Sequence, residues 1–341
     1  MKPKTKINPP TEVIQGGRLR AFASLLLLTL VPFICAVLIF SGCGQPQPPL
    51  RIGANVWPGY EPMYLARSLG YCGVDKVQLI DFSSSSEVIR AYRNGLIDVA
   101  ALTADEALQA SEGEAGHRIV LVCDFSDGAD VLLAKPDIQS LADLKGRRVG
   151  VETTALGAYV LGRALERGGL SSDDVQVVPV PLLEHESAFK SGAVDAIVTF
   201  EPHRSRLLAS GARKLFDSSQ IPGEIVDVLL TRKNLADSQR RDLDALISGW
   251  FRALDYLQKK PSDAAARMAV REAVTPEEFL ASLQGLKLPD REANLRLLGG
   301  SSGNLTATMR QLSATMLKQK IISKSVEPPQ LDDSVIRAAT Q

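Results

Sequence analysis

A block of this chain recurs at a fixed offset of 97 residues. Arg51-Ile52-Gly53 returns as Arg148-Val149-Gly150. Ala91-Tyr92-Arg93-Asn94-Gly95-Leu96-Ile97-Asp98 returns as Ala188-Phe189-Lys190-Ser191-Gly192-Ala193-Val194-Asp195. Each copy opens on a short apolar strand and closes with a helix, a glycine, an aspartate and another strand. One offset, kept without gaps across a helix–strand junction, constrains the fold to two similar α/β units. Two such lobes facing each other leave a cleft, a natural place to hold a small molecule. Asp98 and Asp195 precede strands at the amino end of each unit, away from that cleft, and read as turn residues.

The N-terminus stands outside this pattern. Lys2, Lys4, Lys6, Arg18 and Arg20 precede an apolar run over 21–40, and Ser41-Gly42-Cys43 follows. A basic region, an apolar core and a small-residue cleavage site are the order of an export signal. Phe40-Ser41-Gly42-Cys43 resembles a bacterial lipobox, which implies that Cys43 is lipidated and becomes the first residue of the mature protein. The other reading is an uncleaved anchor, since about 20 apolar residues span a bilayer. On either reading the body is tethered outside the cytoplasm, on the periplasmic or extracellular face of a bacterial membrane. The boundaries expected are a signal peptide over 1–42, an extended tether over 43–49, a first part of lobe 1 over 50–133 and lobe 2 over 134–222. A return to lobe 1 with C-terminal helices takes 223–326, and 327–341 is a flexible or loosely docked tail.

Composition removes several function classes. Lys and Arg number 39 and so do Asp and Glu. With no field and no basic stripe, nucleic acid is not an expected partner. Of four cysteines, Cys35 lies in the signal and Cys43 is the lipid site, leaving Cys72 and Cys123. A bridge between them is open to an exported protein, but two cysteines make no framework. Cys123 ends the apolar run 119–122 and reads as a buried small residue. The three histidines, His117, His185 and His203, lack metal-ligand spacing, and there is no G-x-S-x-G elbow or phosphate loop. No catalytic residue, metal or cofactor is therefore expected.

Strand–helix alternation through residue 216 predicts mainly parallel sheets, and the chain turns helical after 231. Ligands of such sheets bind beyond the carboxyl ends of the strands. That rule selects Trp57 and Tyr60 after the first strand, where an aromatic offers a flat wall and a face for a cation. Ser83 and Ser84, with Thr153 and Thr154 in the second unit, can present hydroxyls and helix N–H groups to a polar head group, or serve as ordinary N-caps. Thr103 ends the third strand. Asp124 to Asp130 has the wrong carboxylate spacing for a calcium loop, and Lys135 stands where its closing Glu belongs. Asp127 and Asp130 can instead accept from a ligand amine, or order the crossover between lobes. Glu201, between a strand and Pro202, can bind a nitrogen or form a salt bridge.

At these strand ends the chain resembles the substrate-binding proteins of ABC importers of the nitrate, sulfonate and taurine type, a group that includes binders of thiamine-pyrimidine precursors. The matching stretches are Arg51-Ile52-Gly53 with Trp57-Pro58-Gly59-Tyr60-Glu61-Pro62, and Asp98 to Thr103. Ser126 to Asp130, Leu141 to Gly150, and Gly192 to Ala196 through Glu201-Pro202 complete them. The resemblance implies a two-lobed type II periplasmic-binding-protein fold whose lobes close on the ligand. It implies crossovers near 130–138 and 216–226, and pocket roles for Trp57, Thr103, Asp130 and Glu201. It implies a monomeric receptor that hands a small organic solute, sulfonate-like or aminopyrimidine-like, to an ABC permease and its ATPase. A sensor reporting to a signalling partner is the alternative. A pyrimidine-precursor enzyme ranks below both, because the Cys-rich motif of that branch is missing.

Overall fold

The two units of the sequence repeat become two sheets, each organised around parallel strands. In the computed structural model, residues 48–73, 75–152, 155–235, 237–299 and 304–338 are described. The signal segment, Cys43, Thr153 and Thr154 lie outside them. The first eight strands are β1 (Leu50–Ala54), β2 (Val77–Asp81), β3 (Val99–Thr103), β4 (His117–Ser126), β5 (Val131–Ala134), β6 (Arg148–Val151), β7 (Gln176–Pro179) and β8 (Ala196–Thr199). The remainder are β9 (Arg213–Asp217), β10 (Val226–Arg232), β11 (Leu286–Lys287) and β12 (Gln330–Leu331).

The first sheet runs β11-β4-β10-β3-β1-β2, with β12 added beside β4, and the second runs β7-β6-β8-β5-β9. In each, three parallel strands are followed by one antiparallel strand: β2-β1-β3 by β10, and β7-β6-β8 by β5. β3, β8 and β5 are buried along their whole length, as strands covered on both faces must be. This is the α/β fold expected from the alternation, and both sheets fall within one compact unit, Pro49–Gln341.

The repeat has an atomic basis. Arg51 pairs with Asp98 at 2.8 Å and donates its backbone N–H to the same carboxylate at 3.0 Å. Arg148 pairs with Asp195 at 2.7 Å and repeats the backbone bond at 3.0 Å. Each clamp ties the start of a central strand to the turn that opens its parallel neighbour, the turn role read from the sequence. The glycines are repeated for steric reasons. A Cβ on Gly53 would stand 2.5 Å from Ile97, and one on Gly150 would stand 3.2 Å from Val194. Gly95 and Gly192 close their helices at φ of +69° and +80°, a conformation open mainly to glycine.

Two expectations need correction. The first crossover is earlier than expected. β5 pairs with β8 and β9, so the chain changes sheets between Ser126 and Val131 and lobe 1 ends before residue 131. An apolar four-residue run reads alike in either sheet, and only its partners decide. The second crossover runs from Asp217 to Val226. The two are stitched together: Ser126 and Ser218 hydroxyls lie 2.8 Å apart, and Ser218 N–H donates to the Asp130 carbonyl at 2.9 Å. The tail is also ordered through residue 338. Leu331 pairs with Ile119, Arg118 holds Asp332 at 2.6 Å, and Val335 and Ile336 are buried. Cys72 and Cys123 are both buried free thiols, and Cys123 is the buried small residue its apolar run suggested.

The helix Asp237–Lys259 buries Leu243, Leu246, Ile247, Trp250 and Phe251 on one face, packed on the helix Glu61–Ser68 of the first lobe. A helix not anticipated, Arg291–Leu298, is held by buried Asn294, which bonds both backbone groups of Val122.

The duplicated clamp predicts duplicated energetics. Asp98→Ala and Asp195→Ala should each lower unfolding free energy by about 1 kcal/mol or more, chiefly because each leaves a strand N–H unpaired. Urea melts check this, and a loss under about 0.5 kcal/mol for either would mark that clamp as an ordinary surface ion pair.

Candidate functional site

The carboxyl ends of β1 and β3 point at the second lobe. After β1 the chain presents Asn55 and Trp57 and turns through Pro58–Tyr60 into the helix Glu61–Ser68. Trp57 donates its indole N–H to Asp124 at 3.1 Å, and the Tyr60 hydroxyl donates to Asp227. Thr103 ends β3 and caps the helix Ala104–Ala110, with its N–H bonded to Glu106 Oε2 at 3.1 Å. Pairing places Asp227 of β10 between Thr103 of β3 and Asp124 of β4. Three neighbouring strands therefore set one polar row across the sheet.

The opposite wall comes from Leu156, on the helix Ala155–Arg167, and Phe200, just past β8. Trp57 and Phe200 meet across the gap edge to face, with ring centroids 5.6 Å apart. Asp130 reaches in from the first crossover. The space these residues enclose with Asn55 and Ser85 is about 10 Å³, room for about one water molecule.

The charge in this cavity is one-sided. Glu106, Asp130 and Asp227 line it, no Lys, Arg or His does so among the described residues, and all three are at most 2 % exposed. Asp124 and Asp105 stand close behind. Burial drives these carboxyls toward the neutral form. Asp130 and Asp124 are pushed up to about 7 and Asp105 to about 6, while Glu106 and Asp227 lie well above the usual carboxylate range. Neighbouring carboxylates reinforce the rise, Asp124 on Asp227 and Asp105 on Glu106. Glu106 Oε1 and Asp130 Oδ2 have no hydrogen-bond partner.

Of the residues singled out in the sequence, Trp57, Tyr60, Thr103 and Asp130 come together here. Ser83 and Ser84 do not. Ser83 bonds Glu87 through both its N–H and its hydroxyl, Ser84 caps Glu87, and the next residue, Ser85, lines the cavity. Asp127 pairs with Lys287 at 2.6 Å. Glu201 is buried beside a separate depression, held by Arg204 at 2.5 Å and the Ser205 hydroxyl at 2.9 Å, which is the salt-bridge alternative. Sequence reasoning missed Asn55, Ser85, Glu106, Leu156, Phe200 and Asp227. Asp227 carried a signal, a lone acid within the apolar run 226–230.

Two α/β lobes, two crossovers and a cavity lined from both sides define the periplasmic-binding-protein class of fold. The comparisons agree. The NMT1-like family matches residues 44–273, and the chain belongs to that family. A protein of Escherichia coli (strain K12) named for binding aliphatic sulfonates is 28% identical over 255 residues, 74% of this chain and 77% of that protein. The periplasmic aliphatic sulphonate binding protein SsuA from Escherichia coli superposes with a TM-score of 0.69 at 21% identity, covering 84% of this chain and 94% of that one. DSZB, solved with biphenyl-2-sulfinic acid, superposes at 0.64 and 17% identity, covering 86% and 99%. The fold is thus shared with an enzyme as well as with binding proteins. Among the described residues no helix is long and apolar enough to cross a membrane.

The buried carboxyls fix the sign of one pH effect. Their folded-state values exceed the unfolded ones, so folding takes up protons between about pH 4 and 7, and the stability this brings is lost as pH rises through about 7. Asp195, held low chiefly by its hydrogen bonds to Arg148, acts in the opposite sense only at more acid pH, and His117, His185 and His203, which burial holds low, oppose the rise below about pH 6.5 but are fewer than the raised carboxyls. The melting temperature of the ligand-free protein should therefore rise from pH 8 to pH 5. A steady fall over that interval in thermal scans would contradict it.

Proposed function

We propose that this protein is an extracytoplasmic solute-binding lipoprotein, monomeric, that captures a small organic solute between its lobes and delivers it to an ABC permease and its ATPase. The observation that carries this reading is the cavity, walled by polar groups and aromatic rings of the first lobe and by Leu156 and Phe200 of the second, and entered by Asp130 from a crossover. A site so divided is complete only when the lobes approach, which couples occupancy to shape. The family and the named relatives point the same way. Cys43 is the attachment point in this reading.

The chain has two tryptophans, Trp57 in the cavity and Trp250 in the core. Their fluorescence supplies the test. Sulfonates, nitrate, aminopyrimidines, polyamines and amino acids are titrated into the full chain in detergent. One chemical class should change the emission, and Trp57→Phe should abolish most of that change while leaving the Trp250 signal. A response unaltered by Trp57→Phe would put binding elsewhere. Cys43→Ala should shift the protein from the membrane to the soluble fraction of cells. Full retention would instead favour an uncleaved anchor.

A further inference from the structure

The cavity is built of acceptors. Glu106, Asp130 and Asp227 face it from a helix, a crossover and a strand, each at least nine-tenths buried. Glu106 Oε1 and Asp130 Oδ2 have no partner. The donors beside them are already committed. The indole N–H of Trp57 goes to Asp124 and the Tyr60 hydroxyl to Asp227. The Asn55 amide donates to the Val56 carbonyl at 3.2 Å, and the Ser85 hydroxyl donates back to Asn55 at 3.4 Å.

Resting on the solute-binding reading above, we infer that the solute is an organic cation bearing N–H donors, an ammonium, amidinium or guanidinium group, rather than a sulfonate or nitrate. An anion entering this space would meet acceptor oxygens and few free donors, and every carboxyl that ionises would repel it. A cation with N–H groups would satisfy Glu106 Oε1 and Asp130 Oδ2 by charge-assisted hydrogen bonds, the stronger kind. The Trp57 and Tyr60 rings and Phe200 add faces that attract cations. A metal ion fits less well, since no three His, Cys, Asp or Glu side chains among the described residues converge to hold one. The space the carboxyls surround, about one water molecule in size, takes a group larger than an ammonium head only as the lobes part. The carboxyls' strong tendency to hold protons when the cavity is empty is what a cation site without its cation should display.

The inference sets this chain apart from the relative named for binding aliphatic sulfonates. A shared fold fixes where the solute sits, and the lining residues fix its charge.

The test is calorimetry on the full chain in detergent at pH 7.5. Putrescine, agmatine and benzamidine are the N–H cations, and tetramethylammonium is a cation without N–H. Methanesulfonate and nitrate are the anions, and zinc chloride is the metal. At least one N–H cation should bind, with tetramethylammonium weaker by tenfold or more. Asp130→Asn and Glu106→Gln should each weaken binding of that cation by at least tenfold. Neither variant should lower the melting temperature of the ligand-free protein at pH 8, because each replaces a buried acid with a neutral amide of the same shape, so loss of binding is separable from loss of fold. Binding of methanesulfonate or nitrate with the cations silent would overturn the inference and leave the solute-binding reading intact. Zinc as the only ligand would overturn it in favour of a metal site. N–H cation binding that both variants retain would overturn the assigned residues. Silence from every probe would overturn this inference and the solute-binding reading together.

Discussion

Water solvates a carboxylate far better than protein does, and this molecule withdraws several carboxyls from water at one spot without supplying a cation. Asp124, Asp130, Asp227, Glu106 and Asp105 all lie where the two lobes meet. Such a cluster is unfavourable in its ionised form, and in a domain shaped only for stability apolar side chains would fill the space. Here the surrounding structure is arranged to hold the acids in place. The register of three strands sets Asp124 and Asp227 side by side, Trp57 and Tyr60 tether one oxygen of each, and Thr103 fixes Glu106. The tethers also explain why two large aromatics sit at the end of β1. Each contributes a ring wall to the cavity and a donor to the acid behind it.

The frame that presents this cluster is economical in sequence. One pattern, used twice, builds the parallel core of each lobe, and its invariant points each have a physical cause. The arginine and aspartate pin neighbouring strands together, one glycine admits a close-packed Ile97 or Val194, and the other ends a helix in a left-handed turn. That is why the repeat was legible. Features that act within about fifty residues of chain leave a local trace.

The same reasoning tells what was not legible. Trp57, Tyr60, Thr103 and Asp130 could be found because a general rule points to strand carboxyl ends, and strands are readable from apolar runs. Glu106 is half of a capping box with Thr103, a common local pattern that marks no site, and only its second oxygen is free. Asp227 reaches the cavity because β10 returns from the second lobe to lie antiparallel between β3 and β4, and no local pattern records that register. Glu201 and Asp127 had the right chemistry, but Arg204 and Lys287 were close enough to take it up. Ser84 was one residue from Ser85, and a helix's first turn separates a cap from a wall by that one step. The tail was misread for a related reason, since β12 exists only through its pairing with β4.

The stitching of the two crossovers has a geometrical consequence. Ser126 and Ser218 bind the connecting segments to one another, and the Asp130 carbonyl joins the same junction. Asp130 therefore stands at the junction of the two crossovers, where any rotation of one lobe against the other would displace atoms least. A solute gripped there would feel nearly constant geometry while the outer rims swing through a long arc. Like a key turned at the spindle of a lever, a small event at the pivot is read out at the far ends, on surfaces that never touch the solute.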